Sequence, residues 1–423
     1  MDKRIIIVGS GATGLIAAIA AKRAGLEPVV LEKSSKWGGT TAMSGGSLWL
    51  PGHALMAENG IVEDMAGARR YLNACASQSG PESSDARRDA FMETAPVLVN
   101  FLRDEGFEWD FSPFPDYYPE AEDASYGRGV GAKLFDGAEL GPWRETLQDS
   151  GRLPSIVVEP QEFKPMLMAT QNFGNFKTAL RVMLRTWSWR LRGKYPMFIG
   201  QALAGRLMAI VQRLGIEVRL DAGVTDLVMQ DGKVCGVKLR GKDGREEELR
   251  AEAGVFLGAG GFARNEELRR KYQDVGSDAT PTVPGDTGDT LLAALRLGAA
   301  VSLMDDSWWH VSVVFPDGSR TVLMWERTFP GSIIVDPAGH RFANEAAPYN
   351  DLGRVMMERL RQFDTKHCWL IMDARHRRNY VFTNILGGVN PRELIEKSFF
   401  IKAGTLDDLA AKCSLPPHDL KAT

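Results

Sequence analysis

Residues 5–14 read Ile-Ile-Ile-Val-Gly-Ser-Gly-Ala-Thr-Gly, and one helix length later residues 29–33 read Val-Val-Leu-Glu-Lys. A short apolar strand ends at Gly9, where the chain must turn sharply. Gly11 lets backbone approach a pyrophosphate, and Gly14 permits close helix–strand packing. The helix beginning near Ala12 and ending near Ala24 aims its N-terminal N–H groups and positive dipole end at the phosphates, with Ser10 and Ala12 beside them. Glu32 follows a second strand, about 20 residues on, where an acid accepts from a ribose hydroxyl and repels a 2′-phosphate. Strand, glycines, helix, strand and acid in register specify a dinucleotide site.

Working outward, the 423 residues exceed one small core and imply at least two domains. A content of 44% apolar and 25% charged residues with net charge −3 is that of an ordinary globular chain and offers nothing to nucleic acid. Cys75, Cys235, Cys368 and Cys413 lie far apart, with no metal-ligand spacing, so no metal site and a reducing, cytoplasmic compartment are expected. Lys3-Arg4 before an apolar stretch resembles a secretory leader, but a leader has no need of three glycines at this spacing.

Directly after Lys33 comes a second loop, Trp37-Gly-Gly-Thr-Thr-Ala-Met-Ser-Gly-Gly46. A nicotinamide cofactor has no use for it there. An extended flavin dinucleotide does, so the expected cofactor is FAD, bound non-covalently. Gly39, Gly45 and Gly46 would allow close approach, and Thr40, Thr41 and Ser44 supply hydroxyls. Strands are expected over 217–220, 224–229, 234–239 and 246–251, with turns at Asp231-Gly232 and Asp243-Gly244. A buried strand, 254–257, then runs into Ala259, Gly260 and Gly261, which would cover the cofactor. Lys33 and Val224 complete the expected cofactor set. Asp289, before the helical run 291–297, is read either as a capping acid or as a ribityl ligand.

These motifs resemble the FAD-dependent fumarate reductase/succinate dehydrogenase flavoproteins and, within them, the 3-ketosteroid Δ1-dehydrogenases. The resemblance also runs through Asp116-Tyr-Tyr-Pro-Glu120, Met304-Asp-Asp-Ser-Trp-Trp309, Pro330–Val335 and Arg341-Phe-Ala-Asn-Glu-Ala-Ala-Pro-Tyr349. It implies dehydrogenation of a 3-ketosteroid, with the C2 proton going to a tyrosine base and the C1 hydride to flavin N5. Where the dicarboxylate enzymes place an arginine, this chain has Tyr349, and a phenol suits a neutral ketone. The resemblance implies Tyr349 as base, assisted by Tyr117, with Tyr118 the adjacent candidate. It leaves the electron acceptor unidentified. Other cyclic ketones, a Δ4-steroid, or an inert FAD-binding remnant stand as alternatives.

Two departures bear on activity. Thr290 replaces a usual family glycine. The family's Tyr-Pro-Gly-Pro-Gly carbonyl-binding segment is absent before Thr423, so the expectation is a fragmentary member that binds FAD weakly and turns over little, or one completed by a separate polypeptide.

The segment 173–200 carries six basic and no acidic residues between Lys177 and Lys194, with Leu180, Met183, Leu184 and Trp187 at helical spacing. It is read either as a helix lying on a membrane surface, peripheral at the inner face, or as one packed over a substrate entrance. The expected class is α/β: a Rossmann-like FAD-binding domain (1–160 and 200–305), the basic insertion (161–199), and a partial α+β substrate (cap) domain (306–423) that includes a strand at 333–336.

Overall fold

The computed structural model describes residues 3–76, 79–149 and 155–423. Ile5–Val8 and Pro28–Leu31 are apolar runs too short for helices, and both are strands, Arg4–Val8 and Glu27–Leu31. They pair in parallel, with Glu217–Arg219 beyond the second and Gly254–Leu257 beyond the first, giving one four-stranded parallel sheet. This is the expected Rossmann-like core, and its order puts the first strand in the middle with Gly9 at its C-terminal end.

Burial follows the two-residue period of the strands. Ile7 and Val30 point to one face, where the helices Ala12–Arg23 and Ile199–Arg213 cover them with Leu15, Ile19, Leu203 and Leu207. Ile6, Val8, Val29 and Leu31 point to the other, against Val224, Val237 and Leu239. Those three come from an antiparallel sheet of Gly223–Gln230, Lys233–Arg240 and Glu246–Arg250. Asp231 and Gly232 both have positive φ (50° and 74°), the conformation a two-residue hairpin turn demands.

The chain divides into two units: 1–158, 185–277 and 282–304 form the first, and 159–184, 278–281 and 305–423 the second. The helix of the basic segment, Phe173–Leu191, contributes residues to both units, the division falling between Leu184 and Arg185.

In the second unit, Ser332–Val335 pairs antiparallel with Trp369–Met372, and Ser312–Val314 with Arg320–Val322. The first of these strands stops before Asp336. That carboxylate turns back to accept from Ala338 N and His340 N, both at 3.0 Å, and closes the turn. Val311, Leu323, Ile334, Leu352 and Phe382 form the core around them.

Candidate functional site

The glycines of the first loop answer to different demands. Gly9 has φ +102°, and a Cβ there would lie 2.4 Å from Gly258 O; one on Gly14 would lie 1.9 Å from Gly9 O. Both are required by the protein's own packing. Gly11 is different: its φ is −69°, and a Cβ would meet nothing nearer than Thr41 Oγ1 at 3.4 Å. The protein's own packing therefore does not require a glycine at this position. Gly11 lines a cleft of about 460 Å³ at the sheet's C-terminal edge.

Of the expected cofactor residues, Gly9, Ser10, Gly11, Ala12, Glu32, Lys33, Gly39, Thr40, Thr41, Val224, Ala259, Gly260 and Asp289 line this cleft. Gly14, Ser44, Gly45, Gly46 and Gly261 do not. Ser44 Oγ instead donates to Thr41 O (2.8 Å) and accepts from Gly46 N (3.0 Å), bracing its own loop. A Cβ on Gly46 would fall 2.6 Å from Gly200 N, so this glycine serves a close approach to a helix. Thr41 Oγ1 accepts from Ala12 N at 3.1 Å, occupying an orphan donor of the first helix turn.

Glu32 ties the two loops together. Its Oε2 accepts from Ser10 Oγ (2.6 Å) and Ser10 N (3.2 Å), its Oε1 from Ser34 N (2.9 Å), and Ser10 Oγ accepts in turn from Gly38 N (3.0 Å). Oε2 is thereby filled, and Oε1 keeps a further acceptor position. Asp289 heads the helix Asp289–Arg296 and pairs with Lys33 Nζ at 2.6 Å.

Sequence reasoning passed over Asp286, whose Oδ1 accepts from Gly261 N at 2.7 Å and so fixes the third glycine turn. Burial pushes its carboxyl up, opposed by the N–H groups of Gly261 and Ala263 and by the Lys33 charge. The run Gly285-Asp-Thr-Gly-Asp carries two acids, Asp286 and Asp289, and nothing local in it singles out Asp286. Gln148 gave no signal at all. It reaches the cleft through a backbone bond to Trp37 O (2.8 Å).

Tyr117 and Tyr118 sit in a loop of the first unit, their rings edge to face at 4.9 Å. Tyr117 is half-exposed, and Tyr118 N donates to the Tyr71 hydroxyl at 2.9 Å. Tyr349 belongs to the second unit and opens the helix Tyr349–Gln362. Buried Arg327 holds the chain just before it, donating to Ala347 O (3.1 Å) and to Glu345 O. The Tyr349 ring stacks on His310 at 3.9 Å and 13°. Burial, helped by the Arg327 charge, pushes the imidazole down to about 4, so it is neutral near pH 7.

The Met304–Trp309 motif now has a physical reason. Trp309 N donates to Asn350 Oδ1 at 2.9 Å, Trp309 Nε1 to Asp306 Oδ1 at 2.9 Å, and Arg354 pairs with Asp306. A Cβ on Gly353 would lie 2.3 Å from Trp309 Cβ, so the motif grips the helix that Tyr349 begins.

A family described as the FAD binding domain matches residues 4–423. The 3-oxosteroid 1-dehydrogenase of Mycolicibacterium smegmatis is 34% identical, over 99% of this chain and 76% of its own. A 4-oxocyclohex-2-ene-1-carboxylate 5-dehydrogenase of Sinomonas cyclohexanicum is 31% identical, over 99% of this chain and 73% of its own. The crystal structure of 3-ketosteroid Δ1-dehydrogenase from Sterolibacterium denitrificans, in complex with 1,4-androstadiene-3,17-dione, superposes with a TM-score of 0.89. It is 30% identical and covers 99% of this chain and 77% of that one. The cofactor of this chain is FAD.

Proposed function

Because this chain belongs to the FAD-binding flavoproteins of the 3-oxosteroid 1-dehydrogenase family, we propose that it desaturates a 3-ketosteroid between C1 and C2. The observation that carries this reading is Tyr349 at a helix start, its ring against a neutral imidazole. A phenol at this position suits a neutral ketone, whereas a carboxylate would call for an arginine in its place.

The carbonyl acidifies the hydrogen on C2, so that hydrogen leaves as a proton, and Tyr349 takes it. A free phenol titrates near about 10 and is a weak base at neutral pH. In this reading the family resemblance assigns Tyr117 the part of the assisting phenol, because a phenolate base needs a second donor. The helix beginning at Tyr349 brings the positive end of its peptide dipoles to the residue where negative charge develops. FAD, when bound, supplies the two-electron acceptor for the C1 hydrogen, which leaves as hydride. Gly11, Ser10, Ala12, Glu32 and Thr40 hold its dinucleotide half in this reading.

Anaerobic mixing of the FAD-loaded protein with a saturated 3-ketosteroid tests it: the flavin absorbance bleaches, and a spectrum that stays oxidised sinks the reading. The 31% identity to the Sinomonas enzyme favours a second reading, a smaller cyclic keto acid. Higher kcat/KM on 4-oxocyclohex-2-ene-1-carboxylate than on the steroid would select it.

The basic helix is read as a membrane-surface contact. Phe176, Leu180, Met183, Leu184, Trp187 and Leu191 are exposed along it, Trp187 by 64%. Lys177, Arg181 and Arg190 are exposed beside them. Arg185 is not part of this surface, since its Nε and Nη2 both donate to Val157 O (3.0 and 2.7 Å). Among the described residues, no helix is long and apolar enough to cross a membrane. Co-sedimentation with anionic liposomes decides: a Lys177/Arg181/Arg190→Glu variant releases the vesicles, whereas equal binding by both proteins ends the electrostatic reading.

A further inference from the structure

The loop carrying Tyr117 and Tyr118 closes on itself. Asp116 N donates to Ser125 O (2.9 Å) and Gly127 N to Phe114 O (3.1 Å), and a lone antiparallel bridge joins Pro115 to Tyr126. At its neck lie three charged side chains withdrawn from water: Asp116 (1% exposed), Arg128 (2%) and Glu63 (8%). Arg128 Nη1 donates to Asp116 Oδ2 at 2.6 Å and to Asp123 O at 3.0 Å. Its Nε and Nη2 reach Glu63 at 3.0 and 3.1 Å. Asp116 also accepts from Trp49 Nε1 (2.8 Å) and Ser125 N (2.9 Å). The guanidinium lies 5.6 Å over the ring of Tyr71, whose hydroxyl receives Tyr118 N.

Stability alone does not explain such a cluster, because packed apolar side chains of similar volume hold a loop as well or better. What the cluster supplies is direction. A guanidinium fork gripping two carboxylates and a carbonyl admits one arrangement of the backbone that carries them. Tyr117 is the very next residue after Asp116.

We propose that Asp116, Arg128 and Glu63 form the positioning device for Tyr117, fixing where its phenol stands during proton transfer. The proposal rests on the reading of Tyr117 as the second phenol. None of the three is a catalytic residue in it; they act through the tyrosine.

The test is a double-mutant cycle on the FAD-loaded protein between Asp116→Asn and Tyr117→Phe, read by kcat and KM with a dye acceptor. Deuterium uptake at C2 of the ketosteroid, flavin content and thermal midpoint are followed in parallel. Asp116→Asn keeps the side chain's shape and leaves Arg128 and Glu63 a balanced pair. The expected result is full flavin, KM within about twofold, and kcat and deuterium uptake down by about 10- to 100-fold, the cost of a misplaced group. In the Tyr117→Phe background the same change costs nothing further.

A lowered thermal midpoint with unchanged kcat overturns the proposal, as does an equal loss of kcat in both backgrounds. If Tyr117→Phe alone keeps full kcat, the reading of Tyr117 falls and the proposal with it. If Tyr117→Phe is impaired and Asp116→Asn is silent, the proposal alone falls. Should Asp116→Asn not fold, Arg128→Lys, which keeps the charge and loses the fork, gives the same readings.

Discussion

Tyr117 and Tyr349 are the same side chain held by opposite means. Tyr117 follows a neck of buried full charges, in a loop that would otherwise have many conformations. Tyr349 is held by regular structure: a helix start, backbone carbonyls gripped by Arg327, and a neutral ring behind its own. A loop has no internal ladder to direct it, so direction there must come from side chains. A helix already fixes its first residue, and packing suffices. The lesson is that charge is used where secondary structure gives no orientation.

The comparison makes graded predictions. Tyr349→Phe has the largest effect, a loss of about 10²- to 10⁴-fold in kcat, the worth of a general base. Flavin content stays unchanged, because Tyr349 does not line the glycine cleft. Retained turnover in a stopped assay with purified variant would show that the helix-held tyrosine is not the base.

Next, Arg128→Met leaves two buried carboxylates unpaired and costs about 3–5 kcal/mol of stability. A denaturant midpoint unmoved by this change would mean the loop's neck is wetter than its burial shows.

On the Tyr349 side, the sensitivity is to pH. His310 stands at about 4 in the folded chain, against an unfolded value near about 6.5, so the unfolded chain takes up the proton first. Stability contributed by the neutral ring is full above about 6.5 and is lost as pH falls toward 4. Burial lowers His53 and His376 as well, and they add to the same trend. Thermal midpoints measured across this window should fall less steeply in His310→Phe, which keeps a stacked ring and removes the titration. Identical slopes would take His310 out of the account.

The smallest effect belongs to Asp289→Asn. Its pair with Lys33 is 43% and 29% exposed, and such pairs contribute about 1 kcal/mol or less. A larger change in melting would mark Asp289 as more than a surface partner.

Much of the nucleotide region was legible because its constraints are local. The strand at 4–8, the helix at 12–23 and the glycine turn are set by neighbours within about ten residues, and each has its own residue signature. The sequence also named the Asp-Tyr-Tyr and Trp-Trp motifs, but not what they touch. In the second Gly/Ser/Thr loop, Gly39, Thr40 and Thr41 line the cleft, and Gly46 meets Gly200, 154 positions away in the chain. Arg128 and Glu63 lie 65 positions apart, and nothing local announces that the fold buries them together.

By itself, then, the sequence determined the dinucleotide half: glycines at Gly9, Gly11 and Gly14 and an acid at Glu32, whose spacing is dictated by one strand, one turn and one helix. Only the tertiary structure showed that packing requires Gly9 and Gly14 but not Gly11. It alone showed that Asp116 is pinned by Arg128 and that Tyr349 is backed by His310. The physical reason is range. Backbone geometry is written in adjacent residues, but burial of a charge or the neutrality of an imidazole depends on what distant segments bring around it.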